Sequence, residues 1–196
     1  MISLEKYAVK FHHLSLESVV NLENNEEVFE AICKSKVLSL LKKYRPLIAG
    51  TFPLGISQKE SDVDVLLTAN DLDGLVDEIE NNFKNEASFE VYCSEQSGER
   101  YILARFKIDE VPFELFGQCI ETVKQRAYKH FQIEERLLKL GGGGFKNRIQ
   151  ELRADGIKTE LAFIKALNLS GDPYLKLLEL HSSSDNELRH ILAGIN

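Results

Sequence analysis

Cysteine is scarce in this sequence and unpatterned. Cys33, Cys93 and Cys119 are odd in number and widely spaced, with no CxxC pair and no histidine in a metal-ligand spacing. This excludes a disulfide framework and a zinc ribbon, and predicts free thiols, two of them buried. Basic residues are also in short supply: 24 Lys and Arg stand against 31 Asp and Glu, a net charge of −7. Neutralising several phosphates needs a basic stripe, and only short clusters such as Lys42-Lys43-Arg45 occur, so the balance argues against a polynucleotide partner. No apolar run is long enough to span a bilayer, and the N-terminus turns polar within a few residues. We therefore expect neither a signal peptide nor a membrane segment, and a cytoplasmic protein. There are no internal repeats and no disorder signature. At 196 residues and 43% hydrophobic content, the chain can bury roughly 70% of its unfolded surface in one domain and a small appendage.

What the chain does have is concentrated between Ile48 and Leu67, IAGTFPLGISQKESDVDVLL. Asp62 and Asp64 stand two residues apart in a Val/Leu-rich strand pattern, which turns both carboxylates to one face of a sheet, ~6–7 Å apart along the strand. Glu114 lies between apolar neighbours in Val111-Pro-Phe-Glu-Leu-Phe116. Three carboxylates on adjacent strands could hold two divalent cations ~3.5–4 Å apart. Glu114 has an alternative use, an ion pair with Arg105 across the sheet. The Asp pair likewise has a plainer reading, as a solvated strand face.

Gly50-Thr51, Gly55, Ser61-Asp62-Val63-Asp64-Val65 and Phe113-Glu114-Leu115 resemble, in order and spacing, the signature of the nucleotidyltransferase superfamily, of the DNA polymerase beta and minimal nucleotidyltransferase type. The longer run from Tyr44-Arg45-Pro46 through Asp64 is similar to an uncharacterised bacterial family within it, a domain of unknown function. Phe113 to Gln118, Gln125 to His130, Ile133 to Leu138, Lys158-Thr-Glu160 and Gly171 to Tyr174 extend that likeness.

The resemblance implies an α+β nucleotidyltransferase fold: a mixed, largely antiparallel sheet flanked by helices in residues 1–120, and a helical region in 121–196. It implies Mg²⁺, or Mn²⁺, held by Asp62, Asp64 and Glu114, with Glu114 helping to activate an acceptor hydroxyl. A nucleoside triphosphate would lie against Gly50, Thr51 and Ser61, with Arg126 and Lys129 as basic candidates for its phosphates and Arg100 and Lys59 beside them. The activity implied is transfer of a nucleoside monophosphate from a nucleoside triphosphate to an acceptor hydroxyl, and the acidic charge balance favours a small molecule or protein as that acceptor. Leu54 stands where many relatives carry an arginine, which supports a rival reading: a non-catalytic nucleotide- or partner-binding module with an inherited metal site.

The remaining pattern predicts a helix over Glu26–Tyr44, ended by Pro46, and a strand at Leu47–Ala49. It predicts one helical turn between Gly50 and Ser61, a strand over Asp62–Thr68, and a helix over Leu72–Phe83 capped by Asn70-Asp71. Strands follow at Ser88–Ser94, Arg100–Ile108 and Val111–Phe116, and then helices at Glu121–Leu140, Lys146–Ala154, Lys158–Leu167, Pro173–His181 and Asn186–Ala193. Gly141 to Gly144 reads as a flexible hinge between two of these, or, less simply, as a phosphate-cradling loop. His130 and Glu134 share a helical face at a spacing that suits an ordinary contact or a metal pair, and His12-His13 read as polar residues in a frayed N-terminus.

Overall fold

The computed structural model describes residues 13–96 and 98–195. The chain forms two compact units. The first runs to Gly55 and resumes from Glu60 to Gln125; the second takes Ile56–Lys59 and continues from Arg126.

In the first unit, helices α1 (Leu16–Glu23) and α2 (Glu26–Ser35) lead to a short helix α3 (Val37–Leu40) and a single 3-10 turn at Lys42–Tyr44. The continuous helix expected over Glu26–Tyr44 is broken at Lys36, whose φ of 54° is left-handed. Ser35 closes the break: its hydroxyl donates to Ile32 O at 2.8 Å and accepts from Val37 N at 3.2 Å. The break lets Val37 and Leu41 bury completely.

The sheet consists of β1 (Leu47–Ala49), β2 (Val63–Thr68), β3 (Ala87–Gln96), β4 (Glu99–Ile108) and β5 (Val111–Gln118), with the one-turn helix α4 (Thr51–Leu54) after β1 and α5 (Leu72–Phe83) after β2. Its order is β1-β2-β5-β4-β3. Among the described strands, only β2 and β5 are parallel; the other pairs are antiparallel. This is the α+β architecture expected, a largely antiparallel sheet flanked by helices.

Alternation explains how each strand lies. β5 alternates buried and half-buried residues along its whole length, the period-2 signature of a strand with one face against the core. The hairpin joining β4 to β5 turns on Asp109 and Glu110, both with positive φ (48° and 67°), the geometry that suits a two-residue connection between twisted strands. That turn pairs Ile108 with Val111 and hence Arg105 with Glu114. Helix α5 begins where Asp71 accepts a hydrogen bond from Gly74 N at 3.0 Å, and buries Leu72, Leu75, Ile79 and Phe83. Phe83, Phe106 and Phe113 stack in series, with centroids 4.6 and 5.3 Å apart. Gln125 is fully buried after β5, donating to Leu67 O at 2.8 Å and Ile120 O at 3.0 Å.

The second unit is helical: α6 (Arg126–Ala154), α7 (Thr159–Ala166), α8 (Pro173–His181) and α9 (Asp185–Ala193). α6 is two helical stretches that meet in the glycine run at a kink, where Gly142 alone leaves helical geometry (φ 66°, ψ −164°). The break expected between two helices is there, narrowed to one kinked residue. Arg136 ties α6 to the α8–α9 connection through His181 O, Ser183 O and Asp185 Oδ1, and Ser184 with Glu187 forms a capping box on α9.

Two smaller expectations are corrected. None of the cysteines is buried: Cys33 is half-buried, and Cys93 and Cys119 are exposed. His13 is not a frayed polar residue, since its Nε2 lies 2.9 Å from Ile48 O; His12 falls outside the described residues. No described helix is long and apolar enough to cross a membrane.

Candidate metal centre

The two aspartates stand two residues apart because Asp62 immediately precedes β2 and Asp64 is its second residue. Asp64 pairs with Ala49 of β1 on one side and with Glu114 of β5 on the other. Asp62, Asp64 and Glu114 each offer a carboxylate oxygen within 4.8 Å of the other two, and all three residues are half-buried. Three like charges at that spacing repel one another, and a divalent cation reverses the sign. An all-carboxylate donor set is hard and oxygen-only, the chemistry that suits Mg²⁺, Mn²⁺ or Ca²⁺ rather than zinc.

Gly50 makes room for this cluster. Its backbone is left-handed (φ 76°), and a Cβ placed there would come 1.7 Å from Asp64 Oδ2. Only glycine lets the β1–α4 turn approach that carboxylate so closely. The next residue, Thr51, opens α4, and its Oγ1 is buried with no hydrogen-bond partner in the protein. A hydroxyl shielded from water and unpaired is costly. Ser61, just ahead of Asp62, is buried at 8% exposure.

Glu114 also serves the alternative use foreseen for it. Arg105 donates to its Oε2 from Nε at 2.9 Å and from Nη2 at 2.8 Å. Both donors converge on one oxygen, which leaves Oε1 outside the pair. Glu114 raises the Arg105 pKa further above its usual range, with smaller contributions from Asp62 and Tyr92. Arg105 has a second acidic neighbour, Glu90, its partner on the β3 side. Glu90 Oε2 in turn accepts from the Tyr92 hydroxyl. Asp64, Glu114, Arg105 and Glu90 therefore run across four strands on one face of the sheet.

The other sequence candidates are placed as follows. Leu54, at the position where an arginine was missed, is buried at 2% exposure in α4. Arg100 pairs with Asp73 at 3.1 Å, and Lys59 is exposed. Arg126 and Lys129 belong to the second unit, in the first turns of α6, exposed and half-buried respectively; the carboxylate cluster of the first unit is built without them. His130 is buried with Nε2 3.0 Å from Tyr174 O, so its ring nitrogen is engaged by backbone. Glu90 and Tyr92 were not singled out from sequence. The signal for them was the i,i+2 spacing of Glu90 and Tyr92 opposite a basic residue on the next strand.

The chain belongs to the DUF4269 family, a domain of unknown function, whose family model matches residues 30–180. No curated protein matches it. Among solved structures it is similar to the Cid1 poly(U) polymerase, with a TM-score of 0.49 and 12% identity over 84% of this chain and 50% of that one. It is similar to the GLD-2/RNP-8 complex, with a TM-score of 0.48 and 11% identity over 92% of this chain and 78% of that one. A cytoplasmic RNA terminal U-transferase gives a TM-score of 0.46 and 14% identity over 89% and 50%. The chain thus spans half the length of the poly(U) polymerase and of the U-transferase.

Proposed function

We propose that this chain is a divalent-metal-dependent nucleotidyltransferase of the DNA polymerase beta type, moving a nucleoside monophosphate from a nucleoside triphosphate to a hydroxyl of a small molecule or protein. The observation that carries the reading is the convergence of Asp62, Asp64 and Glu114 within 4.8 Å beside a left-handed glycine that clears the space. Asp62, Asp64 and Glu114 hold Mg²⁺ or Mn²⁺ in this reading. When bound, the cation supplies positive charge to the phosphate oxygens and to the attacking oxygen.

The protein's own groups do the rest. The Gly50-Thr51 turn brings backbone close to the β- and γ-phosphates, and the Thr51 hydroxyl donates to one of their oxygens. Glu114 takes the proton of the acceptor hydroxyl. The acceptor oxygen then bonds to the α-phosphorus as its bond to the bridging oxygen breaks, and pyrophosphate leaves with that electron pair. The net charge of −7 favours a small or proteinaceous acceptor over a polynucleotide.

A second reading has its own observations: Leu54 is buried where a phosphate-reaching arginine is missing, and Arg105 already occupies Glu114. These favour a module that binds a nucleotide or a partner without turnover. Incubation with radiolabelled nucleoside triphosphates, Mg²⁺ and pools of metabolites and proteins separates the two. Pyrophosphate release that disappears in Asp62→Asn supports the enzyme; nucleotide binding without release in any pool supports the module.

A further inference from the structure

Arg105 stands between two carboxylates. Its strand partner on β5 is Glu114 and its strand partner on β3 is Glu90, and direct partners in a sheet lie on the same face. The guanidinium engages Glu114 through two N–H groups, while Glu90 accepts from Tyr92. Arg105 is about half exposed (52%), whereas Glu114 is 23% exposed, so the arginine is the more open partner of the pair. With Arg105 included, the charge of the Asp62, Asp64 and Glu114 cluster falls from −3 to −2.

We propose that Arg105 is an internal counter-ion that competes with a metal cation for Glu114, and that Glu90 is the seat it moves to when the cation enters. The proposal rests on the metal-binding reading given above. Two cations cannot share Glu114 cheaply, because like charges a few ångströms apart repel strongly in a half-buried site. Arginine's planar fork can leave one carboxylate for another that lies next to it on the same sheet face. Glu90, already polarised by the Tyr92 hydroxyl, receives the guanidinium without a new buried charge. The arrangement keeps the carboxylates from repelling one another before metal arrives, and it sets the affinity at which metal displaces the arginine.

Mn²⁺ titration by calorimetry on the intact chain, at ~0.15 M salt so that the longer-range field of Glu90 is screened, tests this. Arg105→Gln is expected to bind Mn²⁺ roughly 3- to 10-fold more tightly than wild type, the range spanned by removing one half-exposed competing ion pair. Arg105→Lys keeps the charge and is expected to stay closer to wild type. Glu90→Gln removes the second seat and is expected to weaken Mn²⁺ binding about 3-fold, an effect that vanishes when it is combined with Arg105→Gln. Unchanged or weaker binding by Arg105→Gln would overturn the proposal, and so would an undiminished Glu90→Gln effect in the double variant. Failure of both wild type and Arg105→Gln to bind Mn²⁺ would overturn the metal-binding reading itself, an outcome distinct from wild-type binding that the Arg105 variants leave unmoved.

Discussion

A side chain on Gly50 would collide with Asp64: its Cβ would lie 1.7 Å from Oδ2. Together with a φ of 76°, this makes position 50 intolerant of substitution for two independent reasons. Gly50→Ala must shift either the turn or the carboxylate. We expect a loss of about 1–3 kcal/mol in stability from the forced backbone alone, and Mn²⁺ affinity reduced beyond detection by calorimetry. A Gly50→Ala protein that melts like wild type and binds Mn²⁺ normally would show that the turn can move away from Asp64.

The glycine run in α6 gives predictions of opposite sign within three residues. Gly142 has φ 66° and ψ −164°, a combination reserved for glycine. Gly143 and Gly144 are helical, exposed, and would meet nothing within 4 Å if given a Cβ. Gly143→Ala and Gly144→Ala should each stabilise the protein by about 0.5–1 kcal/mol, and Gly142→Ala should destabilise it by about 1–3 kcal/mol. Urea melts of the three single variants check the signs. A stabilising Gly142→Ala would mean that the kink is not required by the packing around it.

These two glycine sites show what could and could not be read from sequence. Gly50 was legible as the glycine of a turn after a short buried strand, read for close approach to phosphate; that it also clears Asp64 shows only in the structure. Glu114 was legible through its alternation with Phe113 and Leu115, and the Asp109-Glu110 turn then fixes its partner as Arg105. The break at Lys36 was not legible, since neither glycine nor proline marks it. A lysine holds the left-handed residue because Val37 and Leu41 gain complete burial by it. The glycine run was legible as the break between two helices; its confinement to Gly142 was not, since four successive glycines give no local signal for which of them leaves helical geometry. The Arg105–Glu90 pairing depends on the register of β3, which is irregular near Ser88 (φ 57°), and no local signal sets it.

Stability should fall as the medium is acidified, through histidines of the second unit. Burial pushes the His130 pKa below its ordinary value of about 6.5, outweighing the opposite pull of the Tyr174 carbonyl, Glu160 and Asp172, while Arg126 pushes the same way as burial. A carbonyl only accepts, so Nε2 carries the hydrogen toward Tyr174 O. Burial also lowers His181, helped by Lys129, Arg136 and His130. Because the folded values lie below the unfolded one, the neutral rings contribute stability fully above about pH 6.5, and that contribution is lost as pH falls through this value toward the folded pKa. Thermal melts between pH 7.5 and 5.5 should show a falling Tm, with a smaller fall in His130→Gln, whose amide can still donate to Tyr174 O. An identical pH dependence in His130→Gln would assign the effect elsewhere.

Thr51→Val offers the sharpest separation of stability from function. Valine matches threonine in shape and branching, and the position is the first residue of α4, so the substitution changes little beyond the hydroxyl. That hydroxyl is buried without a partner. Replacing an unsatisfied buried hydroxyl by a methyl group should raise the stability of the ligand-free protein by about 1 kcal/mol. If the hydroxyl donates to an outer phosphate, the same substitution should cost about 1.5–3 kcal/mol in triphosphate binding, the worth of a hydrogen bond to a charged group. Monophosphate binding should change much less, since that ligand lacks the outer phosphates. Melting curves in parallel with calorimetric titration of nucleoside triphosphate and monophosphate, both with Mg²⁺, read the two effects separately. A more stable variant with selectively weakened triphosphate binding places the hydroxyl at the phosphates. A less stable variant with unchanged binding shows instead that threonine serves only the fold.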